Sequence, residues 1–130
     1  MSSGTEVALY SDVIRERFRK PRLRGRLDAP DIVFEDVNPL CGDRIRIEGR
    51  LRDGRLTDAR YSGDSCAIAG AAADLLLELA LGRTVEDVQA LGVGDLLERL
   101  EADIRPSRMK CVALPLSVLQ GALQGKEVSR

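Results

Sequence analysis

A stretch that is apolar on almost every side constrains this chain more than any other feature of its sequence. Residues 66–81 read Cys-Ala-Ile-Ala-Gly-Ala-Ala-Ala-Asp-Leu-Leu-Leu-Glu-Leu-Ala-Leu. A helix that is apolar all round is typical of the centre of a folded core. The stretch is too short to span a membrane, which needs roughly 20 apolar residues. Gly82 follows it, as expected at the end of a helix. We therefore predict a buried central helix.

The sequence before this helix alternates in the manner of β-strands. Strands are predicted over residues 31–37, 44–51 and 55–62, and Asp53-Gly54 is typical of a tight turn between the last two. The residues predicted to share a face are Ile45, Ile47 and Leu51 in the second strand and Thr57, Ala59 and Tyr61 in the third. The pattern favours a three-stranded antiparallel meander with one polar face.

Helical spacing recurs on both sides of these elements. Four further helices are predicted: one over residues 7–19, a short one after Thr84, one over residues 93–103 and a last one from Pro106 onward. Residues 20–30 form a basic connector, and residues 124–130 a frayed tail. The fold class is therefore α+β, a small three-stranded antiparallel sheet packed against several helices. At 130 residues the chain is expected to form a single domain, 1–130.

The absence of histidine removes several classes of function. None of the 130 residues is His, which excludes Ser-His-Asp and Cys-His catalysis, HExxH metalloproteases and haem ligation by His. Aromatic residues make up 3% of the chain, too few for platforms that stack single-stranded nucleic acid. Residues 1–6 lack the basic and apolar regions of a signal peptide. We expect a cytoplasmic protein with neither a membrane nor a nucleic acid as partner.

The charges balance to −1, but they are unevenly distributed. Residues 15–26 carry seven basic side chains against one acidic side chain. Such a stretch has two interpretations, a docking surface for an acidic partner or a solvated helix face.

Three cysteines lie at predicted element boundaries. Cys41 is in the turn between the first two strands, Cys66 is at the start of the central helix, and Cys111 is in the first turns of the last helix. An odd number of widely spaced cysteines is a poor disulfide framework. One interpretation is three buried structural thiols, and the other is a shared site of accessible thiolates. The partial positive charge at the start of a helix stabilises a thiolate and lowers the pKa of the thiol. The positive charge of Lys110 beside Cys111 would lower that pKa further.

A carboxylate accompanies the first cysteine. Asp43 lies two residues after Cys41, and Gly42 between them permits an unusual backbone angle. Asp43 is interpreted either as an Asx-turn residue or as a fourth ligand beside the three thiolates. Three thiolates and a carboxylate suit tetrahedral Zn²⁺ or an iron–sulfur cluster.

Four stretches of the chain, in order, resemble the motifs of one family. They are Leu9-Tyr10 with Pro21-Arg22 and Gly25, Asn38-Pro-Leu-Cys41-Gly-Asp43, Gly63-Asp-Ser-Cys66-Ala-Ile68, and Arg108-Met-Lys-Cys111-Val-Ala-Leu114. The family is that of the U-type scaffold proteins of iron–sulfur cluster assembly, which includes IscU, SufU and the NifU N-terminal domain. The resemblance spans about residues 7–124.

The resemblance implies a SufE/NifU-like fold and a role in sulfur transfer. Such proteins accept sulfur as a persulfide from a pyridoxal-phosphate-dependent cysteine desulfurase. They then assemble a [2Fe–2S] cluster or pass the sulfur to a downstream scaffold or apo acceptor protein. Carried over by motif, Cys41, Asp43, Cys66 and Cys111 would hold Zn²⁺ or the cluster, supported by Gly42 and Lys110. Cys41 is the preferred sulfur acceptor, and Cys111 is the alternative.

The motifs differ from both main branches of the family. Lys110 precedes the third cysteine as in SufU, where IscU has His, but the 45 residues between Cys66 and Cys111 leave little room for the SufU insertion. The resemblance implies that the chain acts with a desulfurase, as a scaffold or as a zinc-dependent sulfurtransferase, rather than as a stand-alone enzyme. Two alternatives are a sulfur carrier for a thiolation pathway other than cluster assembly and a structural zinc domain that serves as an interaction module.

Overall fold

One face of an antiparallel sheet packs against a layer of helices in the computed structural model, which describes residues 11–40 and 42–126. The described elements are α1 (Asp12–Arg19), β1 (Ile32–Asn38), β2 (Asp43–Arg52), β3 (Arg55–Ser62), α2 (Ala67–Ala80), α3 (Val85–Gln89), α4 (Val93–Leu100), a 3₁₀ turn (Pro106–Arg108) and α5 (Met109–Leu123). The predicted α+β class is confirmed. Within the described ranges, no helix is both long and apolar enough to cross a membrane.

The sheet is a meander in the order β1-β2-β3, with both pairs antiparallel. On the helix side, Ile45 and Ile47 are fully buried. On the other side, the Glu35 carboxylate lies 3.6 Å from the guanidinium groups of Arg44 and Arg46. The alternation of β2 therefore produces the predicted apolar and polar faces.

The alternation of β3 differs from the prediction at Thr57. The register with β2 passes from Leu56 to Asp58, so Thr57 is the extra residue of a β-bulge. Leu56 is buried, as are Ala59 and Tyr61, whereas Thr57 is exposed. The prediction that Thr57 shares a face with Ala59 and Tyr61 is wrong, because the bulge shifts the alternation by one residue.

The helix α2 occupies the centre of the core, as its apolar sequence predicts. Eleven of its residues are buried, and it contacts α1, α4, α5 and β3. Small residues allow this close packing, since a Cβ atom on Gly70 would lie 3.3 Å from the Phe18 ring. Each large apolar side chain buried here contributes roughly 1.5–3 kcal/mol.

Several helix ends differ from the sequence prediction. The fourth helix ends at Leu100 rather than at residue 103, because Glu101 adopts a left-handed conformation at φ +53°. Pro106 opens a 3₁₀ turn, and the α-helix itself begins at Met109. The predicted helix over residues 7–19 is described from Asp12 to Arg19, and its first residues, 7–10, lie outside the described residues. Residues 127–130 of the predicted tail also lie outside them.

A buried carboxylate on α2 anchors the basic connector. Asp74 is fully buried, and its side chain accepts hydrogen bonds from Arg17 Nη1 at 2.9 Å and from the backbone amides of Arg22 and Leu23 at 2.9 and 2.8 Å. Arg17 and Arg22 also form ion pairs with Glu78. The basic stretch is therefore partly neutralised within the chain.

A second buried carboxylate anchors the far end of the connector to the sheet. Glu48 accepts hydrogen bonds from Arg26 Nε and the Leu27 amide, both at 2.7 Å, and from Arg46 Nε at 2.8 Å. Burial alone would raise the pKa of Glu48, but these three donors lower the pKa from its ordinary value of 4.5 to about 2.

Replacing Asp74 should destabilise the fold strongly. We expect Asp74→Ala to lower the free energy of unfolding by about 3–5 kcal/mol, because Arg17 and two amides lose a buried acceptor. Urea unfolding measures this loss. The control is Asp12→Ala, which removes an exposed ion pair with Arg15 and should cost at most about 1 kcal/mol. Equal losses in the two variants would contradict the anchoring role.

The contribution of Glu48 should depend on pH with a defined sign. Since its folded pKa is lowered to about 2, the stabilisation is complete above the unfolded pKa near 4.5 and is lost as the pH falls toward 2. We expect Glu48→Gln to cost about 1–3 kcal/mol at pH 7 and progressively less between pH 4.5 and 2.

Chemical unfolding of the wild type and Glu48→Gln across that pH range measures the difference. The control is Glu35→Gln on the same face, whose ion pairs are longer and more exposed. A pH-independent difference for Glu48→Gln would show that its charge is not what stabilises the connector.

Candidate metal centre

Three elements place a candidate ligand at one end of the sheet. Asp43 is the first residue of β2, Cys66 is the N-cap of α2, and Cys111 is in the first turn of α5. The end of β3 is held against β2 here, because the Arg44 amide donates to the Asp64 carbonyl at 2.7 Å. Gly63 makes this approach possible, since a Cβ atom there would lie 2.2 Å from the Arg44 carbonyl oxygen.

The ligand atoms of these three residues form a cluster. One carboxylate oxygen of Asp43 and the Sγ atoms of Cys66 and Cys111 all lie within 4.8 Å of one another. The structure thus brings together three of the four site residues that the sequence predicts.

The Asp43 carboxylate is oriented by the start of α2. Its Oδ1 atom accepts a hydrogen bond from the Cys66 amide at 2.9 Å, and its Oδ2 atom lies 3.7 Å from Cys66 Sγ. Cys66 Sγ in turn accepts from the Ala69 amide at 3.4 Å, in the position of a helix-capping side chain. Asp43 therefore joins the middle strand to the central helix.

The two described cysteines differ in exposure. Cys66 is half-buried, whereas Cys111 is only 2% exposed. Burial raises the pKa of the Cys111 thiol, and the neighbouring Cys66 and Asp43 raise this pKa further. Of the two interpretations of the cysteines, Cys111 therefore agrees with the buried thiol and not with the accessible thiolate, because α5 turns this side chain into the core.

Two basic residues, Arg108 and Lys110, shortly precede Cys111. The Cys66 and Cys111 side chains raise the pKa of Arg108, although its partial burial opposes this. Lys110 is exposed and lines a surface cavity of about 330 Å³ with Pro39 and Leu40. Lys110, predicted to support Cys111, is therefore directed to the surface rather than to the buried sulfur atom.

The remaining predicted ligand, Cys41, lies in the sequence between the end of β1 and the start of β2. Cys41 lies outside the described residues. The next residue, Gly42, has a φ of +76°, and its amide donates a hydrogen bond to the Asn38 carbonyl at 2.7 Å. Gly42 therefore adopts the unusual backbone angle that the sequence predicts. On the other side, Leu40 is 76% exposed.

The donor set fits a soft or borderline metal. Two thiols and a carboxylate supply negative charge and sulfur, the donors preferred by Zn²⁺ and by iron–sulfur clusters. Hard cations such as Mg²⁺ and Ca²⁺ prefer sites made of oxygen atoms.

Comparisons with known proteins identify the family of this chain. The model of the NifU-like N terminal domain family matches residues 9–127. The iron–sulfur cluster assembly scaffold protein IscU of Thermotoga maritima is 31% identical, over 94% of this chain and 96% of its own length. The zinc-dependent sulfurtransferase SufU of Bacillus subtilis is 28% identical, over 92% of each chain.

A solved structure supports the same fold. The N-terminal part of a nitrogen-fixing NifU-like protein from Brucella abortus superimposes with a TM-score of 0.77 at 20% identity, covering 92% of this chain and 94% of that one. The fold and site define a small α+β domain with a cysteine-rich ligand cluster at one end of its sheet. The chain belongs to the NifU-like N-terminal domain family.

The difference in burial between the cysteines predicts an order of reaction. In the reduced, metal-free protein, we expect iodoacetamide to modify Cys66 faster than Cys111 by on the order of tenfold or more, because alkylation requires an accessible thiolate. Time-resolved alkylation followed by peptide mass spectrometry measures both rates. The rates should converge in concentrated urea, and equal rates in the folded protein would contradict the described burial.

Proposed function

We propose that this chain is an iron–sulfur cluster assembly protein that receives sulfur from a pyridoxal-phosphate-dependent cysteine desulfurase. The observation that carries the proposal is the cluster of Asp43, Cys66 and Cys111 ligand atoms within 4.8 Å of one another. Membership of a family whose relatives are named cluster scaffolds and a zinc-dependent sulfurtransferase supports it.

The proposed sulfur transfer exchanges one disulfide-type bond for another. A thiolate of this chain attacks the outer sulfur of the desulfurase persulfide, which breaks the S–S bond and releases the desulfurase thiolate. The chain then carries the persulfide, and no external oxidant or reductant is consumed. The sulfur is afterwards passed to a downstream acceptor as a persulfide, or an external two-electron reductant such as a ferredoxin-type electron donor or a thiol pair reduces it to sulfide, which is built into a [2Fe–2S] cluster as cargo.

We retain Cys41 as the proposed sulfur acceptor, with Cys111 as the alternative. Transfer between two proteins requires that the attacking sulfur reach a partner's active site. Cys111 is 2% exposed in the first turn of α5. Cys41 follows Leu40, which is 76% exposed on a hairpin loop. The burial of Cys111 therefore favours a ligand role for it and an acceptor role for Cys41.

The proposed ligands for Zn²⁺, or for the cluster, are Cys41, Asp43, Cys66 and Cys111. When bound, a zinc ion keeps thiol ligands deprotonated and the segments that carry them ordered. In this chain, β2, α2 and α5 each place one of the proposed ligands at the same end of the sheet. The Cys66 amide orients the Asp43 carboxylate through a hydrogen bond.

Metal and sulfide content after anaerobic purification tests the site. We expect about one zinc per chain, or iron with an equal amount of acid-labile sulfide. Asp43→Ala should lower zinc affinity by more than about tenfold, because it removes one anionic ligand. The matched control is Asp64→Ala, which removes an exposed carboxylate two residues before Cys66.

The outcomes separate the alternatives. Zinc without sulfide favours sulfur relay, and iron with sulfide favours cluster assembly in place. Zinc whose removal unfolds the chain, with no sulfur accepted by any cysteine, would support a structural zinc domain instead. Neither metal in the wild type, or equal zinc in Asp43→Ala and the wild type, would overturn the proposed site.

Radioactive sulfur tests the acceptor directly. The chain is incubated with a cysteine desulfurase and ³⁵S-cysteine, and label that is released by dithiothreitol is counted. We expect labelling of the wild type and Cys111→Ser, and loss of the label in Cys41→Ser. Label retained in Cys41→Ser and lost in Cys111→Ser would reverse the assignment of the two cysteines.

A further inference from the structure

A small cavity lies beside the loop that leads into α2. Its volume is about 180 Å³, and its walls include Phe18, Arg24, Tyr61, Asp64, Ser65 and Gly70. Sites for drug-sized ligands measure roughly 300–1,000 Å³, so this cavity admits only a molecule of a few heavy atoms. Since Ser65 immediately precedes Cys66, a molecule bound here would lie close to the candidate metal centre.

Gly70 forms the floor of this cavity. A Cβ atom on Gly70 would lie 3.3 Å from the Phe18 ring and 3.4 Å from Ser65 Oγ. Phe18 and Ser65 thus approach each other over a position that has no side chain. A side chain at position 70 would therefore occupy space that the cavity leaves open.

A buried tyrosine whose hydroxyl has no partner lines the cavity. Tyr61 is only 5% exposed, and its hydroxyl forms no hydrogen bond with another described residue. Burial raises the pKa of Tyr61, so the hydroxyl stays protonated and can donate. The large majority of buried polar side-chain atoms have a hydrogen-bond partner. The unpartnered hydroxyl therefore indicates a ligand that accepts from it.

An arginine on the same wall has its charge to spare. Arg24 pairs with Tyr61 in a β-bridge, framed by two backbone hydrogen bonds of Tyr61 at 2.8 and 3.0 Å. Residues paired in this way project their side chains to the same face, so the bridge directs Arg24 to the side of the cavity. Its neighbours Arg22 and Arg26 form ion pairs with carboxylates, whereas Arg24 forms none within the described ranges. Its charge is therefore available to an anionic group.

The groups around the cavity include both signs of charge. Ser65 adds a second hydroxyl that has no partner in the described part of the chain, and it lies at the start of α2, where the helix carries a partial positive charge. Asp64 places an exposed carboxylate on the same rim. The donors suit a carboxylate, and Asp64 suits an ammonium group. A dianion such as phosphate would be repelled by Asp64.

We propose that this cavity binds a small zwitterion of the α-amino acid type, whose carboxylate is held by Arg24, Tyr61 and Ser65 and whose ammonium group faces Asp64. The inference goes beyond the proposed sulfur transfer and does not rest on it, since none of these four residues is a proposed metal ligand or sulfur acceptor. The size of the cavity favours amino acids with a small side chain, such as alanine.

Titration of the whole ¹⁵N-labelled chain, followed by NMR, tests the site with L-alanine as the probe. We expect saturable shifts of the amides that line the cavity, including those of Ser65 and Gly70, at millimolar concentration. Acetate and methylammonium each lack one of the two charges, so each should bind more weakly by roughly threefold or more. Inorganic phosphate should produce no saturable shift of these amides.

Variants with matched controls locate the bound molecule. Tyr61→Phe removes only the hydroxyl and should weaken L-alanine binding by roughly tenfold, because a hydrogen bond to a charged group is lost. Gly70→Ala should abolish saturation, since the added methyl group occupies the floor of the cavity. Gly94→Ala is its control, because a Cβ atom on that helical glycine meets nothing within 4 Å.

A second pair of variants tests the charge. Arg24→Met should weaken L-alanine binding by roughly tenfold, whereas Arg19→Met, which removes an exposed arginine from α1, should leave it unchanged. Thermal unfolding of every variant checks that the fold is retained.

Three outcomes would overturn the inference. The first is the lack of any saturable shift when L-alanine is added to the wild type. The second is binding of acetate or phosphate as tight as that of L-alanine, which would contradict the amino-acid class. The third is undiminished binding in folded Tyr61→Phe and Arg24→Met. None of these results bears on the metal content or the sulfur labelling of the chain, so the proposed function stands or fails separately.

Discussion

The hydrogen bond from the Cys66 amide to the Asp43 carboxylate joins the start of the central helix to the start of the middle strand. This bond affects more of the fold than the two residues it joins. Most of α2 is buried, and the position of α2 determines where α1, α4 and α5 pack. It also orients the carboxylate toward Cys66 Sγ. One contact thus sets both the junction of the two layers and the geometry of the candidate ligands.

Three carboxylates are buried in the described part of the chain, and each accepts a backbone amide from a distant segment. Asp74 accepts from Arg22 and Leu23, Glu48 accepts from Leu27, and Asp43 accepts from Cys66. Buried charges of this kind are tolerated only when they are paired or hydrogen-bonded. Asp74 and Glu48 meet arginines, so their charge stabilises the connector. Asp43 lies beside two thiols instead. The same structural device therefore meets arginines at two positions and candidate ligand sulfur atoms at the third.

Most of the fold follows from local pattern, whereas its exceptions depend on contacts between distant residues. The alternation of β2, the Asp53-Gly54 turn with both φ values positive and the apolar stretch of α2 were all predictable. The bulge at Thr57 was not, because it depends on the register between two strands. The burial of Glu48 and Asp74 depends on arginines and amides more than 20 positions away. The grouping of Asp43, Cys66 and Cys111 was expected from motifs, but the burial of Cys111 depends on the packing of α5 against distant elements.

The two sides of the candidate site differ in their exposure to solvent. On one side, Cys111 is buried in α5. On the other side, the loop after β1 exposes Leu40 and relies on the positive φ of Gly42. A molecule that approached Cys111 would have to displace packed atoms of α5, because burial of this side chain depends on the surrounding core. The described residues beside the loop after β1 carry no such barrier, since Leu40 projects into solvent. Access to the cluster of Asp43, Cys66 and Cys111 is therefore controlled by packing on the α5 side.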